Sequence, residues 1–141
     1  MKTHTIEQAV RYAETDRMRV VHHSTYLLWF ELGRTGLLAD AGFPYAELEA
    51  SGTLFPVVVF ACRFNGSADY GDTVAIETRV SSLRSRSVEF CYRILKGGTV
   101  IATGMTRHVA ADTSQRAKRL PDELLRALGE YVETNSESGN L

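Results

Sequence analysis

Four side chains that can do acid–base chemistry stand near the N-terminus. Asp16 offers a carboxylate, His22 and His23 offer adjacent imidazoles, and Glu31 follows an apolar run at residues 26–30. A carboxylate can activate water as a general base or attack a carbonyl carbon as a nucleophile. An imidazole can orient that carboxylate, position water or protonate a leaving group. Because the same residue types are common in ordinary turns, the neighbouring elements decide whether they form a site.

Two other kinds of site have less support. The sequence contains no Gly-x-Ser-x-Gly segment, so Ser24 and Thr25 are interpreted as helix caps rather than nucleophiles. The adjacent side chains of His22 and His23 diverge, and no third ligand has suitable spacing. We therefore expect neither a serine hydrolase triad nor a metal site.

A helix predicted over residues 25–42 must position these groups. Its N-cap is predicted at Ser24 or Thr25, and Gly42 suits its C-terminal cap. Apolar residues occupy almost every side of this helix, so other elements are expected to surround it. Gly33 in its interior indicates a close backbone approach.

Most of the remaining chain is predicted to form antiparallel strands. Residues 73–80 and 87–95 alternate between apolar and polar positions, and Gly97-Gly98 suits a type I′ hairpin turn. Residues 54–64 form an apolar run that we expect to be buried on both faces in its first half. The other predicted elements are a weak first strand at 5–12, a short helix at 45–50, a returning strand at 100–111 and a helix at 121–128. This segregation of helix and strands is the α+β pattern.

Composition is ordinary for a soluble domain. The 141 residues carry a formal net charge of −1, which argues against nucleic acid or an anionic membrane as a partner. No apolar stretch approaches the ~18 residues of a membrane span, and the N-terminus lacks an apolar signal core. We expect one domain over 1–130, a disordered tail at 131–141 and a cytoplasmic location. Cys62 and Cys91 are predicted to be buried free thiols.

Five motifs together resemble those of one enzyme family. They are Arg11-Tyr12-Ala13-Glu14-Thr15-Asp16, Val20-Val21-His22-His23-Ser24-Thr25-Tyr26, Trp29-Phe30-Glu31 with Arg34, Phe55-Pro56-Val57-Val58, and Tyr70-Gly71-Asp72-Thr73-Val74. On these motifs the chain resembles the hotdog-fold acyl-CoA thioesterases of the 4-hydroxybenzoyl-CoA thioesterase family, especially the Tol-Pal-associated branch. The resemblance implies a sheet wrapped around a long central helix. It also implies a homodimer or homotetramer, with the active site at the dimer interface near the start of that helix.

The same resemblance implies roles for individual residues. Asp16 is the essential carboxylate, and His23 is the histidine found in this branch. The implied reaction is hydrolysis of an acyl-CoA to a free acid and coenzyme A, without a metal or redox cofactor. The developing oxyanion would face the backbone N–H of His23 or of a neighbour at the helix start. Replacing Glu14 is expected to cost far less activity than replacing Asp16.

Several residues have weaker assignments. Glu31 and Tyr26 are secondary catalytic candidates, although Glu31 can equally pair with Arg34. His108 is expected to be structural. The predicted substrate-binding residues are Val21, His22, Arg84 and Arg86, and Arg17 and Arg19 are further candidates for phosphate contacts. Two alternatives stay open, namely a hotdog-fold hydratase or dehydratase that uses Glu31 with His23, and a non-catalytic acyl-thioester-binding protein.

Overall fold

The computed structural model describes residues 2–16 and 20–133. Within these ranges, five antiparallel strands form one sheet in the order β1-β3-β4-β5-β2, and a long helix lies against it. The predicted α+β arrangement is therefore confirmed. In chain order the elements are β1 (His4–Ala9), a 3₁₀ turn (Tyr12–Glu14), α1 (His23–Asp40), α2 (Tyr45–Ala50), β2 (Val57–Phe64), β3 (Thr73–Leu83), β4 (Ser87–Lys96), β5 (Thr99–Val109) and α3 (Asp122–Gly129).

The inner faces of β3 and β4 form the floor on which α1 packs. Alternate residues of both strands are buried, as their sequence pattern predicts. Phe30 of α1 stacks on Tyr92 of β4, with ring centroids 4.3 Å apart. Gly33 brings the helix backbone so close to β3 that an added Cβ would collide with the Thr78 side chain. The predicted Gly97-Gly98 hairpin turn is also confirmed, because both glycines have positive φ and Lys96 pairs with Thr99.

Helix α1 begins two residues before the predicted start. The prediction of Ser24 or Thr25 as N-cap is wrong, because His22 occupies that position and its Nδ1 accepts a hydrogen bond from the Ser24 N–H over 3.1 Å. The Thr25 hydroxyl instead donates to the Glu14 carbonyl. An imidazole nitrogen thus satisfies the amide that a serine or threonine cap would satisfy.

Helix α1 ends at Asp40, two residues before the predicted end, and Gly42 serves as the predicted capping glycine with a φ of +93°. Gly42 N–H donates to the Ala39 carbonyl and Phe43 N–H donates to the Leu38 carbonyl. These two bonds form a Schellman motif, which a glycine at this position accommodates without strain.

The predicted burial on both faces of the first half of residues 54–64 is wrong for the single chain, where Phe55 is buried but residues 56–60 are exposed. In the described chain β2 is an edge strand with β5 as its neighbour. Six of its eight side chains are exposed, and Ala61 and Cys62 are half-buried. Three leucines of α1 are exposed as well, so the expectation of a surrounded helix also fails within one chain. We call these residues the apolar edge: Leu27, Leu28, Leu32, Val57, Val58, Val59, Phe60 and Phe64.

The described chain ends against β3. Tyr131 is buried and Val132 forms a bridge to Val80. The remainder of the predicted tail, residues 134–141, lies outside the described residues. In the described ranges every helix is too short or too polar to cross a bilayer.

Candidate active site

Asp16 lies in a narrow loop that leads directly into α1. A bridge between Thr15 and Val21 closes this loop, and the Asp16 N–H donates to the Val20 carbonyl over 2.9 Å. Asp16 is exposed. Residues 17–19 of the loop, which include the candidates Arg17 and Arg19, are outside the described residues.

The segment before β3 supports this loop from outside. Val20 forms a bridge with Asp69, and the Val21 N–H donates to the Ala68 carbonyl over 2.9 Å. The turn itself is fixed because Asp72 accepts a hydrogen bond from the Asp69 N–H. That bond and the Lys96 ammonium lower the pKa of Asp72. Val21, a predicted substrate contact, is buried with its amide engaged.

The start of α1 presents one backbone amide that has no acceptor among the described residues. The His22 N–H donates to the Glu14 carbonyl, and the Thr25 N–H donates to the His22 carbonyl. The Ser24 N–H is taken by the His22 imidazole. Among the described residues, the His23 N–H is thus the donor without an acceptor at the positive end of the helix dipole.

An aromatic cluster surrounds the helix start. The His23 ring meets Phe64 edge to face with centroids 4.9 Å apart, and Tyr26 meets the same phenyl ring at 5.0 Å. His23 is exposed, whereas Tyr26 is buried against Trp29. Burial, with a smaller contribution from Cys62, raises the pKa of Tyr26. Its hydroxyl therefore keeps its proton and is poorly suited to act as a base or nucleophile. The structure thus brings Asp16 and His23 to one end of the sheet, and Tyr26 lies beneath them.

Glu31 and Arg34 do not form the predicted pair, since no ion pair between described residues joins them. Glu31 is exposed. It stands eight residues after His23, about 12 Å farther along the helix axis. Arg34 points towards the core, where one guanidinium nitrogen, Nη1, is buried and has no hydrogen-bond partner within residues 2–16 and 20–133.

His108 is buried in a chain of hydrogen bonds, as the structural interpretation predicts. Its Nδ1 lies 2.9 Å from the Phe55 carbonyl, which can only accept, so Nδ1 carries the proton. Its Nε2 therefore accepts from Thr106 at 2.8 Å, and the Thr106 oxygen accepts from the Tyr92 hydroxyl. Burial lowers the pKa of His108 to about 4 and raises the pKa of Tyr92 to about 12.

Arg84 and Arg86 lie at the opposite end of the sheet from Asp16 within one chain. They occupy the turn between β3 and β4, whereas Asp16 is near the start of β3. The eleven residues of β3 separate these ends by about 35 Å. Both arginines are exposed. A single chain does not bring them to the Asp16 loop.

Sequence reasoning missed the role of Glu14. Its side chain is 7 % exposed, and its Oε2 accepts a hydrogen bond from the Trp29 indole N–H over 3.1 Å. Its position in a motif beside Asp16 was the available signal, but burial of a carboxylate depends on partners that only the fold provides.

The cysteines and acidic residues form no further centre in the described chain. Cys62 and Cys91 are free and half-buried. Burial raises the pKa of Cys62 to about 11 and, with the neighbouring Glu133, raises that of Cys91. Among the described residues, no group of three His, Cys, Asp or Glu side chains is placed to hold a metal ion.

Residues 10–128 match the model of the thioesterase-like superfamily. The chain belongs to this superfamily. It is 34 % identical over 122 residues to YneP of Bacillus subtilis, a protein whose acyl-CoA thioesterase activity is itself inferred; the match covers 82 % of this chain and 88 % of YneP. Membership confirms the predicted class, a thioester hydrolase, while the Tol-Pal-associated branch stays a prediction.

Solved structures match the fold over nearly the whole chain. Protein TT1821 of Thermus thermophilus is 42 % identical, with a TM-score of 0.86 over 90 % of this chain and 98 % of that one. The DHNA-CoA thioesterase of Staphylococcus aureus is 28 % identical, with a TM-score of 0.88 over 92 % of this chain and 91 % of that one. The predicted hotdog fold is thereby confirmed.

Proposed function

We propose that the protein hydrolyses acyl-CoA thioesters, with Asp16 and the start of α1 as the two halves of the site. The observation that carries this proposal is the His23 N–H, which has no acceptor in the described part of the chain and lies at the end of the loop that holds Asp16. Its neighbours at residues 22, 24 and 25 each have an acceptor. A thioester carbonyl directed at this amide gains a donor and the helix dipole as negative charge develops on its oxygen.

The chemistry can follow either of two routes from Asp16. As a general base, the carboxylate takes a proton from water, and the resulting hydroxide attacks the carbonyl carbon. As a nucleophile, it attacks the carbonyl itself to give a mixed anhydride that water then hydrolyses. In both routes the C–S bond breaks, coenzyme A leaves as a thiolate that takes up a proton, and the acid is released. Neither route requires a metal or redox cofactor.

The apolar edge supports assembly with a second copy of the chain. It combines the open backbone of an edge strand with large exposed side chains, including Leu28 at 53 % exposure. Such an edge is a template for pairing with another strand. We propose that two copies pair through β2 as a homodimer, the unit from which the predicted homotetramer would be built.

Antiparallel pairing of β2 with its copy would also complete the substrate site. It would set the Phe64 end of one copy beside the Val57 end of the other. Val57 pairs with His108, whose other neighbour in the sheet is Val88, next to the turn that holds Arg84 and Arg86. The two arginines of the second copy would then approach the Asp16 loop, where they can meet the phosphates of coenzyme A.

The hydratase or dehydratase alternative receives less support. It needs Glu31 and His23 to act on one substrate atom, yet their helix positions differ by about 12 Å within one chain. A non-catalytic binding protein would have no need of Asp16. A cytoplasmic location is part of the proposal, since the substrate is a soluble metabolite.

A thiol-release assay tests the proposal most simply. Purified protein is incubated with a panel of aliphatic and aromatic acyl-CoAs that includes 1,4-dihydroxy-2-naphthoyl-CoA, and free thiol is measured. We expect release from at least one substrate at a rate far above that of buffer. Hydration of an enoyl-CoA without thiol release would favour the hydratase.

A further inference from the structure

Glu14 is a buried carboxylate with both oxygens engaged. Oε1 accepts the Arg11 backbone N–H over 2.8 Å, and Oε2 accepts the Trp29 indole N–H over 3.1 Å. The Arg11 guanidinium lies 3.6 Å from Oε1. A buried carboxylate is costly unless hydrogen bonds and an opposite charge compensate it, and here both are present.

The backbone carbonyl of Glu14 accepts hydrogen bonds from α1, the same helix that its side chain contacts. The Glu14 carbonyl accepts the His22 N–H over 2.9 Å and the Thr25 hydroxyl over 3.3 Å. Side chain and carbonyl together therefore contact the N-cap, the first turn and the second turn of α1. Through Trp29, which is fully buried, the loop is linked to the hydrophobic core.

This attachment limits where Asp16 can lie. Asp16 follows Glu14 by two residues, a reach of about 7 Å at full extension. The amide that would receive the oxyanion, the His23 N–H, follows directly after a residue bonded to the Glu14 carbonyl. Glu14 therefore connects the two halves of the proposed site.

We propose that Glu14 is a positioning residue, which holds the Asp16 loop against the start of α1 through the indole N–H of Trp29. This inference rests on the proposed catalytic role of Asp16. A displacement of about 1 Å can reduce the rate about a hundredfold when it moves a reacting group. Loss of the contact should thus lower kcat and leave KM nearly unchanged, since Glu14 is buried away from the substrate.

Glu14→Gln and Trp29→Phe test the two ends of the contact. Glutamine has one acceptor oxygen, so one of the two N–H groups must face an amide NH₂. Phenylalanine keeps an aromatic ring but removes the N–H donor. We expect each variant to lower kcat by about tenfold to a hundredfold with KM changed by less than about twofold, and Glu49→Gln, at an exposed position of α2, to match the wild type.

The double variant shows whether the two residues act through one contact. If they do, the kcat of the double variant Glu14→Gln/Trp29→Phe should resemble that of the less active single variant. A loss equal to the product of the two single losses means that they act separately and overturns the proposal. Denaturant midpoints of all variants are measured at the assay temperature, and kcat is compared only among variants that are folded there. If Glu14→Gln does not fold, Trp29→Phe still tests the contact.

Fluorescence supplies a readout that does not depend on activity. Trp29 is the only tryptophan in the chain, so emission reports directly on the indole beside Glu14. Glu14→Gln should change the emission maximum or intensity, whereas Glu49→Gln should not. An unchanged spectrum together with unchanged kcat would contradict the proposed contact.

Asp16→Asn, assayed in parallel, separates two kinds of failure. A fully active Asp16→Asn refutes the proposed catalytic role of Asp16, on which this inference rests. An inactive Asp16→Asn with a fully active Glu14→Gln leaves the proposed function intact and refutes the positioning role alone.

Discussion

The imidazole of His23 meets the phenyl ring of Phe64 edge to face, with centroids 4.9 Å apart. This contact joins the first residue of α1 to the last residue of the edge strand β2. The proposed catalytic end of the helix and the proposed dimer edge are therefore adjacent parts of one surface. Substitutions in the apolar edge should therefore change the rate of thioester hydrolysis.

Leu28→Glu should prevent dimerisation. The side chain is half exposed in one chain, so the folded monomer tolerates a carboxylate there, but burying that charge in an apolar interface is costly. We expect light scattering to give a smaller species than the wild type and thiol release to fall at least tenfold. Ala46→Glu, on the exposed face of α2, serves as the control and should keep both properties. A wild type that is monomeric at micromolar concentration would contradict the shared-site proposal.

His23→Ala should reduce kcat less than removal of the Asp16 charge. The substitution keeps the backbone N–H that would receive the oxyanion and removes only the imidazole. Because a thiolate is a good leaving group, protonation by the imidazole has limited value, and we expect a loss of about tenfold, below the usual ~10²–10⁴ of a required acid or base. Steady-state kinetics measure this, and a loss above a thousandfold would make the imidazole essential.

His108 should make the fold sensitive to acid. Its pKa is lowered from 6.5 to about 4 by burial, so the unfolded chain binds this proton more readily than the folded protein. The free energy of unfolding therefore carries the full contribution of neutral, buried His108 above about pH 6.5. This contribution decreases as the pH falls towards 4, by up to about 3 kcal/mol. Urea unfolding of the wild type and of His108→Gln between pH 7 and pH 4.5 should show a smaller acid loss in the variant. Equal losses would exclude His108 as the cause.

Gly104→Ala should destabilise the fold because β5 has no room for a methyl group. An added Cβ would collide with the Phe30 ring and come within 2.8 Å of the Ala61 carbonyl oxygen. Overpacking of this kind costs about 1–3 kcal/mol. Gly129→Ala, where no atom lies within 4 Å of the added Cβ, should be neutral or slightly stabilising. Equal unfolding free energies for the two variants would contradict this packing.

Local patterns predicted the parts of the fold that depend on local chemistry. The alternation of β3 and β4 identifies their buried face, and Gly97-Gly98 identifies the turn type, because side-chain period and positive φ are properties of the segment itself. The bounds of α2 were predicted for the same reason. The motif around Asp16 and His23 located the loop and the helix start that the structure places together.

Tertiary contacts decided what those patterns missed. The apolar residues of β2 predict a buried strand, but β2 lies at the sheet edge and its burial depends on a second copy. His22 caps α1 because the Glu14 carbonyl holds its N–H, and Thr25 is drawn to the same carbonyl. Glu14 itself is an ordinary surface residue by sequence, and only Trp29, fifteen residues later, makes it a buried one.

The most direct test of the proposed function is the kcat of Asp16→Asn. Asparagine preserves the side-chain shape and removes the charge needed for water activation or nucleophilic attack. We predict that kcat falls at least a hundredfold, that KM is retained or decreases slightly, and that folding and oligomeric state are unchanged, while Glu31→Gln keeps most of its activity. Near-normal hydrolysis by Asp16→Asn together with loss of activity in Glu31→Gln would contradict this assignment and transfer the catalytic role to the helix carboxylate.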